Sequence, residues 1–593
     1  MAEYIQMDNA QQKDYLIVGA IDFGTTFSGY AFSTKHDFLK DPRKLGNISI
    51  KHWADPISTM TYNKTSTCIL FTEERIFDKF GFEAEAKYLD LILDNDHENW
   101  YFFRRFKMSL YEIQSEVQEI LVEDETGKTM SARKVFSESL RFLVNSLFDE
   151  VRKQQTDIKM TDIRWVVTVP AIWSDPAKAF MRKSAIEAGI DSGMLTIALE
   201  PEAAALYVKH LPVEKRICEN ECEDFETLAP GSKYIVVDVG GGTVDITAHE
   251  VLEDDHVREL IKATGGNWGG TKVDEEYMDF IKRLIGEDTA RYIDENTPSV
   301  FFESCREFEM AKRTIKPNSD GKFNVRIPSQ FGETYSLIHC GRELKSVKTV
   351  FTKYEKHITV SFTGDKLRLK SKDAEDFFAE SVTKIADYLS ELIEQNGDND
   401  ITTIILVGGY AESPMLIEGI KSRFSHMRVI IPTEAAWSIL LGAVIFGHSP
   451  NLIKHRRSKY TYGIGVNKRF KPSEHDEKHK YEENGEFRCW GLFSKLVEID
   501  EIVSVGEYRK IDKHFHIKDC KEEGNFKLYA STLKSPKYVD EEDCFYIGHI
   551  LSPGHEFLPK HTIYIDVCFG ETQIMFLAQQ PKSDKFFLCY LGD

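Results

Sequence analysis

The sequence predicts an α/β protein that ends in a mainly β part. Three observations lead to this fold class. Two segments, at residues 15–34 and 234–247, repeat one pattern of a buried strand, a glycine turn and a second strand. Strands and helices alternate after each of them, which is typical of α/β proteins. Beyond about residue 460, short strands and turns replace the helices and indicate a separate β-domain.

The elements of the first half follow from the spacing of apolar residues and from prolines at helix starts. They are, in order, a hairpin over 15–34, a helix over about 133–155, a strand over 163–169, a helix from about 175, a strand over 195–199 and a helix from about 200. Residues 35–135, between the hairpin and the first long helix, are mixed in character and are predicted to be an insertion.

The second half repeats this order of elements. Its predicted elements are a hairpin over 234–247, helices over 272–285 and 301–316, a β-rich insert, a helix over about 373–395 and a strand over 401–407. The insertion of this half covers about 258–375. The longest apolar stretch, 435–446, is too short to span a bilayer and is interpreted as a buried helix.

These elements divide the chain into four segments. We predict an N-terminal tail over 1–14, an α/β domain over 15–447, a basic linker over 448–459 and a β-rich domain over 460–593. The α/β domain splits into two lobes of about 15–230 and 231–447. The first residues lack a basic start followed by an apolar run, so no signal peptide is expected.

The composition limits the class of protein. A chain of 593 residues is too long for one hydrophobic core and predicts about two to four domains. Its net charge of −21 argues against a protein whose main role is to hold nucleic acid. Ten cysteines without a framework spacing indicate a reducing compartment, so we expect a cytoplasmic protein, with the nucleus as the alternative.

Each hairpin carries an aspartate at the end of its first strand and glycine in its turn. Asp22 precedes Gly24, and Asp238 precedes the glycines at 240–242. Backbone N–H groups of such turns form a nest for phosphate oxygens. An aspartate that faces phosphate requires a cation between them, and Mg²⁺ touches few carboxylates directly. One such hairpin is an ordinary turn, but the pair predicts a clamp for a nucleotide polyphosphate and Mg²⁺. The turns also offer the hydroxyl groups of Thr25, Thr26 and Thr243.

Four further features are weaker, because each has an ordinary structural explanation. Residues 408–410 suit a close approach to a ligand, or a tight strand-to-helix turn. Residues 309–316 place charged side chains on one helical face, which is most often a solvated face. Lys107 lies among aromatic residues and could be a surface lysine. Glu200 could be a carboxylate favoured at a helix N-terminus.

Taken together, these motifs resemble the actin/hexokinase/heat-shock superfamily and, within it, the seventy-kilodalton heat-shock proteins. The resemblance is strongest to a divergent branch of that family, typified by heat shock 70 kDa proteins 12A and 12B. Besides the hairpins, the stretches that carry it are Phe106-Lys-Met, Val167-Thr-Val-Pro-Ala-Ile-Trp173, Leu199-Glu-Pro-Glu-Ala-Ala-Ala205, Gly265-Gly-Asn-Trp-Gly-Gly270, Gly408-Gly-Tyr-Ala-Glu-Ser-Pro414 and Cys489-Trp490.

The resemblance implies a two-lobed actin-like ATPase domain, with the ribonuclease-H-like repeat, that binds ATP or ADP with Mg²⁺. Asp22 and Asp238 would position hydrated Mg²⁺. Lys107 would help to orient the attacking water, with Glu200, Asp245 and Thr243 as supporting or general-base residues. The phosphates would lie against Gly24, Thr25, Thr26, Phe27, Gly240, Gly241, Gly242 and Thr243. The adenosine would lie among Gly270, Glu309, Lys312, Arg313, Lys316, Gly408, Gly409, Tyr410 and Glu412.

The chain departs from the family pattern at several points. Glu412 stands where the family usually has an arginine that stacks on adenine, and a carboxylate cannot replace a guanidinium there. Lys316 stands where the family commonly has serine. The acidic, leucine-rich linker of the family is replaced by the basic segment 448–459, and the family's C-terminal acidic tail motif is not seen.

Three functions are compatible with these observations. The first is an ATP-binding, weakly hydrolysing heat-shock-like protein whose nucleotide state gates a C-terminal β-domain that binds protein clients or signalling partners. The second is a nucleotide-gated scaffold with negligible turnover. The third is a small-molecule kinase on the same superfold, because the clamp alone does not exclude one. Nucleic acid and a transmembrane segment are not expected, and any co-chaperone is unknown.

Overall fold

The computed structural model describes residues 14–42, 44–111, 113, 119–210, 228–254, 256–397, 400–509, 514–516, 524–552, 562–569, 574–579 and 586–590. Apart from residue 14, the predicted N-terminal tail lies outside the described residues. Several parts of the predicted β-rich domain also lie outside them.

The first hairpin forms the centre of a six-stranded sheet. In spatial order its strands are Leu195–Leu199, Ile163–Val169, Ile17–Phe23, Phe27–Thr34 and Ser49–Ile50, and Thr65–Ser66 pairs with Phe27–Thr34 as well. The first three of these strands run parallel to one another, whereas the hairpin itself is antiparallel. The carboxyl ends of the parallel strands therefore meet at the edge of the sheet that holds Asp22.

The second hairpin forms the centre of a seven-stranded sheet. In spatial order its strands are Arg428–Ile430, Thr403–Val407, Lys233–Val239, Val244–Val251, Val257–Gly266, Ile453–Arg457 and Ile502–Ser504. The first three are again parallel and the hairpin is again antiparallel. The repeat seen in the sequence thus extends to the order and direction of the strands around each hairpin.

The helices connect and cover these sheets, and the long ones agree with the sequence-based prediction. Those of the first half are Lys35–Lys40, Phe82–Leu93, Ala132–Gln154, Asp175–Glu187 and Glu200–His210. Those that follow are Thr271–Ile285, Glu287–Asn296, Ser299–Lys312, Ser329–Ile338, Ser371–Gln395, Pro414–Arg423 and Ser438–His448. The mixed α/β class is confirmed. Within the described residues, no helix is both long enough and apolar enough to cross a lipid bilayer.

The remaining strands are short and lie outside the two central sheets. In the first half they are Trp53–Ala54, Thr61–Tyr62, Cys68–Phe71, Phe77–Phe80, Tyr101–Arg104, Leu121–Glu123 and Thr129–Ser131. In the second half they are Lys322–Arg326, Thr349–Phe351, His357–Thr359, Ser361–Thr363 and Lys366–Lys370. After residue 460 they are Thr461–Arg469, Lys480–Glu483, Glu486–Val497, Tyr508–Arg509, His514–His516, Gly524–Ser531, Cys544–Ser552, Thr562–Phe569, Ile574–Gln579 and Phe586–Tyr590.

Three sequence-based boundaries differ from the structure. The segment predicted as a basic linker contains Ile453–Arg457, which is a strand of the second sheet, because its backbone pairs with Val257–Gly266 and Ile502–Ser504. Val257–Gly266 itself belongs to that sheet rather than to an insertion. Helix Ser438–His448, although it follows the second sheet in sequence, packs on strand Ile17–Phe23 of the first.

The core explains why the second hairpin is apolar on both faces. Tyr234 and Val236 point into the same hydrophobic core as the first sheet, whereas Ile235 and Val237 point into a second core. Successive side chains of a strand point to opposite faces, so a strand buried on both faces reads as a continuous apolar run. The second sheet is therefore held between the two cores.

Candidate functional site

The two glycine turns face each other at close range. A Cβ atom added to Gly241 would lie 2.4 Å from the Thr26 hydroxyl oxygen, and one added to Gly242 would lie 2.7 Å from that of Thr25. Any larger side chain in the second turn would therefore collide with the first turn. The two turns, although far apart in sequence, are therefore adjacent in the folded chain, as predicted.

A cavity of about 210 Å³ opens between the hairpins. Twelve predicted residues from the hairpins and their supports line it, namely Asp22, Gly24, Thr25, Thr26, Phe27, Lys107, Glu200, Asp238, Gly240, Gly241, Gly242 and Thr243. Four predicted residues from later in the chain join them, namely Arg313, Gly408, Gly409 and Glu412. Six lining residues were not predicted, namely Tyr62, Asn63, Lys64, Ala436, Trp437 and Ile439.

Lys107 and Glu200 form a buried ion pair at this cavity. The Lys107 Nζ atom donates to Glu200 Oε1 at 2.8 Å, and both side chains are less than a tenth exposed. Lys107 lies on the short turn Phe106–Leu110, and Glu200 begins a helix. The structure therefore contradicts the alternative that Lys107 is a surface lysine. Burial raises the pKa of Glu200 to about 7; Lys107 opposes this shift, while Asp22 and Asp245 add to it.

Two carboxylates of the second hairpin are incompletely satisfied. Asp245 lies directly across the hairpin from Asp238 and accepts a hydrogen bond from the Ile172 N–H at 2.8 Å. Within the described residues, Asp238 Oδ1 and Asp245 Oδ2 are buried without a hydrogen-bond partner. Burial raises the pKa of both, and for Asp238 the neighbouring Glu200 and Asp245 add to it. An unpaired buried carboxylate oxygen beside a glycine turn is a position that a hydrated cation would satisfy.

Asp22 has a different environment from Asp238. The Lys64 Nζ atom donates to Asp22 Oδ2 at 2.6 Å, and the Thr168 hydroxyl donates to Asp22 Oδ1 at 3.1 Å. Both Asp22 oxygens are therefore occupied. Among the described residues, no three histidine, cysteine or acidic side chains are grouped so that they could hold one metal ion. The unpaired buried oxygen of Asp238 fits a metal ion that is bound through water.

The predicted adenosine-side residues are only partly brought together. Glu309 and Arg313 pair with each other, with 3.0 Å between Arg313 Nη2 and Glu309 Oε1. Arg313 lines the cavity, while Glu309 lines an adjoining cavity of about 370 Å³. That second cavity shares Thr25, Thr26, Phe27, Tyr62 and Arg313 with the first.

Five predicted residues do not line either cavity. Lys312 is held between Asp274 and Glu309, with its Nζ atom 2.6 Å from Asp274 Oδ1. Lys316 is exposed beyond the end of its helix. The other three are buried supports of the site: Gly270 donates its N–H to the Gly240 carbonyl, Tyr410 packs near Phe378, and Asp245 lies on the second strand of the second hairpin.

The turn after strand Thr403–Val407 requires glycine. Gly408 has a φ of +92°, and a Cβ atom there would lie 2.5 Å from Asp238 Oδ1. Glu412, four residues later, lines the cavity and accepts a hydrogen bond from the Ala436 N–H at 3.3 Å. Trp437 is the next residue after this contact. Trp437 belongs to no recognisable sequence motif, and it lines the cavity because of its position in the tertiary structure.

Comparison with known proteins identifies the family. No protein-family model matches the chain. Heat shock 70 kDa protein 12A of Homo sapiens is 32% identical over 547 residues, which cover 84% of this chain and 79% of that protein. The Mus musculus protein of the same name gives the same identity and coverage. Heat shock 70 kDa protein 12B of Homo sapiens is 32% identical over 546 residues, or 84% of this chain and 78% of that protein. The resemblance inferred from the motifs is confirmed, and the chain belongs to the family of heat shock 70 kDa proteins 12A and 12B.

Proposed function

We propose that this chain binds ATP and ADP between its two hairpins and hydrolyses ATP slowly. The observation that carries the proposal is the shared cavity, in which two glycine turns, the Lys107–Glu200 pair and the aspartates of both hairpins converge. Glycine turns that expose backbone N–H groups suit the phosphate chain. The two central sheets would be the two lobes of an actin-like ATPase domain over 15–447.

The residues around the cavity fit a nucleotide with Mg²⁺. Asp238, with its unpaired buried oxygen, would hold hydrated Mg²⁺, whereas Asp22, whose oxygens already accept from Lys64 and Thr168, would contribute less. When bound, Mg²⁺ would neutralise charge on the phosphates. Thr25, Thr26 and Thr243 would donate hydroxyl hydrogen bonds to phosphate oxygens.

The same pocket offers groups that could position a water molecule. Lys107 is fixed by Glu200 and would orient the water beside the phosphates. Glu200, with a pKa of about 7, can accept a proton near neutral pH, which suits a general base. Asp245, opposite Asp238 on the second hairpin, would support this arrangement because the Ile172 N–H holds its carboxylate in place.

We further propose that nucleotide state is communicated to residues 460–593, which would form a β-domain that binds protein clients or signalling partners. The supporting contacts begin at strand Ile453–Arg457. Arg456 pairs with Glu202 through two hydrogen bonds, and Glu202 lies two residues after Glu200. Lys459 donates to the carbonyl oxygens of residues 172 and 173, at 2.7 and 3.0 Å, next to the Asp245 contact.

A cytoplasmic location is part of the proposal. The described cysteines Cys68, Cys305, Cys340, Cys489 and Cys544 are free thiols, which suits a reducing compartment.

Nucleotide binding and turnover test the main proposal. Isothermal titration with Mg-ATP and Mg-ADP should show binding by the full chain. Steady-state phosphate release should be slow and should fall at least about tenfold in Lys107→Ala. Lys79→Ala, at an exposed lysine paired with Glu83, is the matched control and should leave both measurements unchanged. No heat of binding with either nucleotide at millimolar concentration would overturn the proposal.

A scaffold with negligible turnover is the second candidate, and Glu412 favours it. Glu412 lines the cavity and stands where the family usually has an arginine, so the nucleotide would be held differently. Binding without measurable phosphate release in wild type would select this function. Transfer of phosphate to a sugar or polyol would instead select the small-molecule kinase.

A further inference from the structure

Lys64 is placed at the cavity by strand pairing. Strand Thr65–Ser66 pairs with Phe27 and Ser28 of the first hairpin, and the Thr67 N–H donates to the Thr26 carbonyl at 2.8 Å. This pairing fixes the backbone next to Lys64, so the lysine is presented by a regular element.

Gly29 provides the space through which the Lys64 side chain passes. Gly29 lies directly across the hairpin from Asp22. A Cβ atom on Gly29 would lie 2.9 Å from Lys64 Cγ and 3.0 Å from the Asn63 carbonyl oxygen. The aliphatic part of Lys64 therefore packs over Gly29, and its Nζ atom reaches Asp22 Oδ2 with a side chain only 17% exposed.

The charges around the cavity show what Lys64 does there. Asp22, Glu200 and Asp238 line the cavity together with Lys64 and Lys107, and Asp245 lies opposite Asp238 on the second hairpin. Each lysine pairs with one carboxylate, Lys64 with Asp22 and Lys107 with Glu200. The uncompensated charge therefore lies on the second hairpin, at Asp238 and Asp245.

Other cations near the cavity are committed elsewhere. Lys107 is held by Glu200, and Arg313 pairs with Glu309 and lies over the Phe27 ring at 5.9 Å. Lys64 thus pairs with Asp22, the aspartate of the first hairpin whose negative charge a divalent cation would otherwise neutralise.

We infer that Lys64 is a built-in cation for the nucleotide phosphates, which takes over on the first hairpin the charge neutralisation expected of Mg²⁺. This inference rests on the proposed nucleotide binding and adds to it. Nucleotide binding by this chain is then only weakly dependent on Mg²⁺. Any metal ion is held chiefly from the side of Asp238.

The decisive experiment compares ADP affinity in excess MgCl₂ and in excess EDTA for three full-length proteins. In wild type, EDTA should weaken binding by less than about threefold, whereas in Lys64→Gln it should weaken binding by more than about tenfold. Glutamine keeps the Cβ and Cγ atoms, the latter of which packs over Gly29, and it removes the charge, although its side chain is shorter than that of lysine. Lys79→Ala is the control and should behave as wild type.

A second variant separates position from charge. Gly29→Ala keeps the lysine but pushes it away from Asp22, so its dependence on Mg²⁺ should lie between those of wild type and Lys64→Gln. A third measurement uses MgCl₂ alone, without nucleotide, and records the thermal midpoint. Mg²⁺ should raise the midpoint more in Lys64→Gln than in wild type, because Asp22 is released for the metal.

The outcomes distinguish the two levels of the proposal. ADP binding that EDTA weakens equally in wild type and Lys64→Gln overturns the role of Lys64 and leaves nucleotide binding intact. If none of the proteins binds ADP in either buffer, the proposed function is overturned, and so is the proposed role of Lys64 in binding phosphate. An equal response of both proteins to MgCl₂ alone also counts against Lys64.

Discussion

The two hairpins have the same backbone pattern but different charge environments. Asp22 and Asp238 end equivalent strands, and each is followed by a glycine turn that faces the other. Asp22 is paired with Lys64 and Thr168, whereas Asp238 retains an unpaired oxygen. The difference arises outside the repeat, because strand Thr65–Ser66, which pairs with the first hairpin, places Lys64 next to Asp22. The repeated hairpin thus determines the backbone geometry around both aspartates, whereas the inserted segment that carries Lys64 determines the charge environment of Asp22.

The largest effect is expected at Lys107, the buried partner of Glu200 at the cavity. Lys107→Met leaves Glu200 buried without its cationic partner, and should lower the free energy of unfolding by about 3–5 kcal/mol. Urea denaturation of wild type, Lys107→Met and the Lys107→Met/Glu200→Gln double variant measures this. The double variant should recover most of the loss, since it removes the unpaired charge. Equal stability of both variants would contradict this account.

The next effect separates two adjacent glycines beside Asp238. Gly408→Ala forces a side chain into a positive φ and against Asp238 Oδ1, and should cost at least about 2 kcal/mol. At Gly409 a Cβ atom meets open space, so Gly409→Ala should change stability by less than about 1 kcal/mol. Thermal unfolding of both variants checks this, and a similar shift in both would argue against the described turn.

The comparison of the aspartates predicts effects of opposite sign. Asp22→Asn leaves the Lys64 ammonium group without its carboxylate and should lower the free energy of unfolding by about 1–2 kcal/mol. Asp238→Asn removes a buried, repelled carboxylate and should raise it by about 1 kcal/mol at pH 8 without nucleotide. Urea unfolding of the two variants in EDTA tests the signs. Destabilisation by both changes would mean that the hairpins are alike.

The smallest expected effect is on pH dependence. Burial raises the pKa of Glu200 from 4.5 to about 7, so the folded protein binds more protons than the unfolded chain between these values. Stability should therefore fall as pH rises across this range. Burial also raises the pKa of Asp238, so Asp238→Asn should make the fall of stability with pH less steep. Urea midpoints of this variant and Lys79→Ala across the range measure it; parallel profiles would exclude a contribution from Asp238.

Much of the fold was predictable, because local signals agreed with the final packing. The strand Ile163–Val169 and the helix from Asp175 have the predicted bounds, since apolar spacing and Pro176 act locally. The strand at 453–457 was not predictable from its basic sequence, because its position depends on pairing with Val257–Gly266. Long-range pairing leaves no periodic signal in a short, charged strand.

The site residues that belong to sequence motifs were predictable, whereas those that only the tertiary structure brings to the cavity were not. The turns at Gly24 and 240–242 were found, and the structure brings them together. Lys64 and Trp437 carry no motif and line the cavity only through tertiary placement. Lys316 was placed on the same helical face as Glu309 and Lys312 by its spacing in sequence. The helix ends at Lys312, however, so Lys316 does not lie on that face.

The packing of helix Ser438–His448 also bears on how the chain is made. A Cβ atom on Gly442 would lie 1.7 Å from the Ala203 carbonyl oxygen, so this helix presses directly on helix Glu200–His210. Residues 439–446 belong to the same core as Ile17. The ribosome must therefore release about 430 further residues before the first strand acquires this neighbour, so the N-terminal part needs protection from aggregation during synthesis.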